Sequence, residues 1–123
     1  MKKLIVMGLM LFVIVGCRPR VDTVNLVDGA SKIKIFRKTD PPASCVEIRP
    51  FSAVSGSGCG MLGSPGSYEA TYNTFRNTIV DMGGNAGLIE NEVPSHPAPG
   101  CLVNAYVMNG VAYKCPEGVL TVK

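Results

Sequence analysis

Polar and apolar residues alternate with period two over residues 32–37 (Lys32, Ile33, Lys34, Ile35, Phe36, Arg37), the pattern of a strand with one buried face. Thr39-Asp40-Pro41-Pro42-Ala43 stops it, because consecutive prolines cannot donate to a ladder. Residues 46–54 predict a second strand, which Pro50 confines to an edge or a bulge. A Gly- and Ser-rich loop with Cys59 follows over 55–66. Tyr68, Tyr72, Phe75, Ile79 and Met82 then recur at intervals of four and three, laying one apolar stripe along a helix. Ser67 is its expected N-cap, Glu69 suits the positive end of its dipole, and Gly83-Gly84 stops it.

Residues 86–93 read as a strand ended by Pro94, and residues 95–100 as a stiff, proline-rich loop. The runs 102–108 and 111–115 flank Asn109-Gly110, the residue pair favoured in a type I′ hairpin turn. The order β-β-α-β-β-β predicts a two-layer α+β domain. A small, mostly antiparallel sheet of about four to five strands carries one packed helix.

The strongest apolar run stands apart from this domain. Lys2 and Lys3 precede twelve residues, 4–15, that fit the hydrophobic stretch of a secretory signal and fall short of the roughly 20 a membrane span needs. The run closes in Ile14-Val15-Gly16-Cys17, which resembles the bacterial lipobox. That resemblance implies diacylglycerol on the Cys17 thiol, cleavage before Cys17 and fatty acylation, palmitate for example, of the new amine. A thiol is required because it becomes the thioether that carries the lipid. Acyl chains contribute about 0.8 kcal/mol per buried CH2, so two or three together anchor stably where one does not.

Residues 1–16 are thus expected to be a signal peptide, 17–31 the lipidated Cys17 with a short polar tether, and 32–123 a single domain. Arg18 and Arg20 can meet anionic headgroups. Arg18, in place of the aspartate associated with inner-membrane retention, points to the outer membrane. Loss of Lys2 and Lys3 leaves ten basic against nine acidic residues, +1 instead of +3, which speaks against a nucleic-acid partner.

With Cys17 assigned to lipid, Cys45, Cys59, Cys101 and Cys115 form an even set in an oxidising compartment, where disulfides are the rule. Four cysteines allow three pairings. No Cys-x-x-Cys is present, which argues against a metal site or a redox role.

The stretch 54–115 resembles the RcsF-like outer-membrane lipoproteins, the family of an envelope-damage sensor. The resemblance rests on Val54-Ser55-Gly56 ahead of Cys59, on Gly84-Asn85-Ala86, on Leu88-Ile89 and on Pro99-Gly100-Cys101. It implies a Cys59–Cys101 bridge. The family's other bridge would fall on Glu92 and Val107, neither a cysteine, which leaves Cys45 and Cys115 to each other. The family's long proline-rich tether is here about fourteen residues, 18–31.

Catalytic chemistry finds little support. His96 is the only histidine and lies among Ser95, Pro94 and Pro97. Glu90 and Glu92 sit two apart, as one strand face would place them. The glycines of 56–63 lack the Lys-Ser/Thr of a phosphate-binding loop. The expectation is therefore a non-enzymatic, cofactor-free envelope lipoprotein that binds another envelope protein, in stress sensing or as a structural or surface component. The expected contact surfaces are the Asn109-Gly110 tip and the loop 94–100. A small-molecule or lipid carrier would need an apolar cavity.

Overall fold

The computed structural model describes residues 23–120, so Cys17, the signal segment and the first half of the tether lie outside the described residues. The elements are β1 (Lys34–Phe36), β2 (Val46–Ser55), α1 (Tyr68–Asp81), β3 (Ala86–Val93), β4 (His96–Ala98), β5 (Cys101–Val103) and β6 (Tyr106–Lys114). A four-stranded sheet has the order β1-β3-β6-β2, and β4 pairs with β5 in a separate two-stranded sheet. Only β1 and β3 run parallel. One helix on a mostly antiparallel sheet is the α+β arrangement that the sequence pattern predicts.

Pro50 lies on β2, an edge strand, where its missing N–H costs no ladder bond on the open side. A register shift between Glu47 and Arg49 adds a bulge two residues before it. Ser67 caps α1, its Oγ accepting from the Ala70 N–H at 3.1 Å. At the other end Gly84 donates to the Ile79 carbonyl and Gly83 to Val80, both at 2.9 Å, closing the helix in a Schellman-type turn.

Phe75 and Ile79 are fully buried, and Tyr72 and Met82 pack against the same cluster of Ile33, Ala53, Ile89, Met108 and Ala112. Tyr68 departs from the expected stripe and is 44% exposed, while Ala70 and Thr71 are buried in its place. The cause is polar: the Thr71 and Ser55 hydroxyls meet at 2.6 Å, fixing which side of the first turn faces the sheet.

Asn109-Gly110 is not a turn. β6 runs unbroken through it as an inner strand between β3 and β2, and neither residue has positive φ. Tertiary packing supplies the reason. A Cβ on Gly110 would lie 2.1 Å from the Leu88 carbonyl oxygen and 2.7 Å from Phe75 Cζ, so glycine here makes room for the helix's largest fully buried side chain. Asn109 donates to Asn91 Oδ1 at 2.6 Å and accepts from the Ser52 hydroxyl, a polar row across three strands. The hairpin of this region is β4–β5, turning at Pro99-Gly100 with Gly100 at φ 88°.

The polar stretch 18–31, expected to be tether, is partly domain. Asn73 Nδ2 donates to the Val24 carbonyl and Asn77 Nδ2 to Asn25, while Asn77 Oδ1 accepts from the Val27 N–H. Arg76 Nε donates to the Ala30 carbonyl, and Ala30 itself is fully buried. Side-chain amides of α1 thus satisfy a backbone whose sequence carries no strand or helix period.

Phe75→Ala is expected to cost about 3–5 kcal/mol and Gly110→Ala about 1–3 kcal/mol, read from urea midpoints of the disulfide-intact domain. A neutral Gly110→Ala would contradict the inner-strand placement.

Candidate functional site: the stapled end and the Arg37 cluster

The two disulfides sit at opposite ends of β2. Cys45, just before β2, bonds Cys115, just after β6, with Cα atoms 4.1 Å apart. Asn85 supports this end: its Oδ1 accepts from the Cys115 N–H at 2.7 Å and its Nδ2 donates to the Cys115 carbonyl at 2.8 Å. The asparagine of Gly84-Asn85-Ala86 therefore has a structural task.

At the other end Cys59 bonds Cys101, Cα to Cα 5.4 Å, tying the loop after β2 to the first residue of β5. Ser57 and Ser64 exchange backbone hydrogen bonds of 2.8 and 2.9 Å, pinching residues 57–64 into a closed knuckle. Gly56, Gly58 and Gly60 all have positive φ, so the glycine run is spent on the shape of this loop. Met61 and Leu62 stand at its tip, both fully exposed.

Asn104, a residue without a sequence-derived role, organises the knuckle. It is buried, with Nδ2 donating to the Gly60 carbonyl at 2.8 Å and its N–H to the Gly58 carbonyl at 3.1 Å. Its own carbonyl accepts from Gly66 N–H and from the Ser95 hydroxyl. The only cue in the sequence is an asparagine between Val103 and Ala105 in an otherwise apolar run. The knuckle and the hairpin bridged to it, residues 55–68 and 93–106, contain no Asp, Glu, Lys or Arg.

Compared with protein-family models, curated proteins and solved structures, the chain matches none of them.

A second cluster flanks the helix N-terminus. The Arg37 guanidinium lies 5.5 and 5.7 Å from the ring centroids of Tyr68 and Tyr72, pairs with Glu92 and donates to the Tyr68 hydroxyl. Tyr106 donates to Glu92 Oε2 at 3.2 Å, and Arg76 covers Tyr72 at 5.3 Å. Arg37, Glu92, Tyr68 and Tyr106 are each paired within the cluster, as in a surface rivet between β1, α1, β3 and β6.

Glu90 and Glu92, expected on one face, are separated by the register shift between Ile89 and Asn91. Glu92 joins the Arg37 cluster while Glu90 is exposed. Glu92 and Val107 lie on neighbouring strands one register step apart, Glu92 opposite Met108 and Val107 opposite Val93. His96 is exposed on β4, its Nδ1 3.1 Å from the Pro94 carbonyl oxygen. Among the described residues no group of three or more His, Cys, Asp or Glu is placed to hold a metal ion, and no helix is long and apolar enough to cross a membrane.

Burial, then the Glu92 charge and the hydrogen bond to it, raise the Tyr106 hydroxyl above the ordinary tyrosine value of about 10. Burial and Glu47, Asp40 and Glu90 raise Tyr113 likewise. A raised folded-state value means this stability is fully present below about pH 10 and is lost as pH climbs through the folded value. Unfolding free energy is therefore expected to fall above about pH 10, and Tyr106→Phe to flatten part of that fall. Identical alkaline profiles for the two proteins would contradict the assignment.

Proposed function

We propose that this chain is a bacterial envelope lipoprotein, held in the membrane by lipid on Cys17, whose stapled α+β domain is a non-enzymatic protein-interaction module. The observation that carries the reading is the use of cysteine. Cys45–Cys115 and Cys59–Cys101 consume the four described cysteines in two disulfides, which suits an oxidising compartment. Cys17 is then the odd cysteine, and it stands where a lipobox needs it.

The Cys59–Cys101 bond is also the one that the resemblance to RcsF-like outer-membrane lipoproteins implies, which is in keeping with the family reading. The packing of residues 24–30 along α1 shortens the leash, because five residues, 18–22, separate Cys17 from Thr23. A domain on so short a leash works beside its membrane. A role in envelope stress sensing follows the family reading, through a contact made near the anchor rather than through a long threaded tether.

Of the two expected contact surfaces, Asn109-Gly110 is withdrawn into β6, and the loop 94–100 persists as the exposed β4–β5 hairpin. The groove lined by Thr23, Leu26, Ser67 and Asn73 opens to solvent and is not the enclosed apolar cavity that a carrier needs.

Cys17→Ser is expected to lose fatty-acid labelling and to accumulate at precursor size, while deletion of the gene changes the output of an envelope-stress reporter. Mature-sized, membrane-bound Cys17→Ser protein would overturn the anchoring. An unchanged reporter would overturn the sensing role and favour a structural lipoprotein.

A further inference from the structure

The exposed apolar knuckle is the feature that neither the fold nor the stapling explains. Met61 and Leu62 are adjacent, large and fully exposed, and Leu102, next to the bridged Cys101, is 48% exposed. Exposed apolar residues scattered singly need no explanation, but Met61 and Leu62 share one tip, with Leu102 on the hairpin bridged to it. The tip is also held stiff, by the Cys59–Cys101 bond, by the Ser57–Ser64 pinch and by Asn104 bonding the Gly58 and Gly60 carbonyls. A rigid loop that bears two apolar side chains outward is shaped to insert into something.

Three observations favour a lipid surface over a protein groove as that something. The knuckle and the hairpin bridged to it, residues 55–68 and 93–106, hold no Asp, Glu, Lys or Arg, so the tip can meet a bilayer while the flanking Glu69 stays in water and Arg37 stays paired with Glu92. The knuckle leads directly into Ser67, the cap of α1, and Thr23 lines a groove with Ser67 and Glu69, so the chain enters the domain at the end that carries the knuckle. From Thr23 back to Cys17 the covalent reach is short: six residue steps, at most about 22 Å. Arg18 and Arg20 lie within that link, where basic residues favour anionic headgroups.

We infer that Met61 and Leu62 insert into the interfacial layer of the bilayer that holds Cys17, so that the domain is docked on its membrane at two points. This rests on the anchoring reading above and adds to it an orientation. A lipid chain alone leaves the domain free to swivel. A second, protein-borne contact fixes the knuckle end downward and turns the Cys45–Cys115 end, across the length of β2, away from the lipid.

The chain has no tryptophan, so one introduced residue reports alone. Met61→Trp and, at the far end of β2, Ala43→Trp both fall at exposed positions, where the new ring displaces no core side chain. The full lipidated chain, purified from membranes, is reconstituted into vesicles of phosphatidylethanolamine and phosphatidylglycerol, with and without brominated acyl chains. With the ring within about 5–10 Å of the headgroup boundary, brominated lipid is expected to quench Met61→Trp emission to roughly half or below and to leave Ala43→Trp unquenched. Equal quenching of the two variants in protein that floats with the vesicles would overturn the insertion, leave the anchoring intact and assign the knuckle to a protein partner. Protein that does not float with the vesicles would overturn the anchoring, and the insertion with it.

Discussion

Two covalent cross-links set the conditions for everything else in this domain. The apolar core is one helix deep: Phe75, Ile79 and Met108 are its only large, fully buried apolar side chains among the described residues. Such a core can fasten α1 to the middle of the sheet, but it does not extend to either end. Cys45–Cys115 closes one end and Cys59–Cys101 the other, over separations of 70 and 42 residues. In the chain-entropy account each contributes about 4 kcal/mol by restricting the unfolded chain, against total stabilities of about 5–15 kcal/mol for ordinary domains. The knuckle of residues 57–64 depends on this most, because it buries no large apolar residue of its own and relies on the bridge and on Asn104.

The core explains which parts of the fold were legible in sequence. The helix followed from the spacing of Phe75, Ile79 and their neighbours, and β3 from its bounding Pro94, since both signals come from burial and local chain geometry. Pro50 correctly excluded β2 from the sheet interior. Asn109-Gly110 misled because its local turn chemistry was overridden by a tertiary demand, the space that Phe75 needs against β6. Tyr68 misled in a smaller way, since a hydroxyl pair, Ser55 with Thr71, set the rotation of the first helical turn.

Polar contacts were the least legible. Residues 24–30 have the composition of a solvated linker, and the side chains of Asn73, Arg76 and Asn77, some fifty positions away, make them part of the domain. The Arg37 cluster gathers side chains from β1, α1, β3 and β6, and no local spacing announces it. The cysteines lie between these cases: their parity was readable, but parity left three pairings open, and the Cys59–Cys101 expectation came from the RcsF-like resemblance.

These parts combine into one physical picture. In the proposed reading, lipid on Cys17, a five-residue link and the strapped segment 24–30 would hold the domain close to its membrane, with the knuckle end nearest and the Arg37 rivet bracing the helix beside it. The picture stands on the division of five cysteines into one for lipid and four for cross-links. Mass spectrometry of non-reduced peptides from protein extracted out of membranes tests that division directly. The account predicts an acylated N-terminal Cys17, a Cys45–Cys115 pair and a Cys59–Cys101 pair; a disulfide that includes Cys17, or any other pairing of the four, would contradict it.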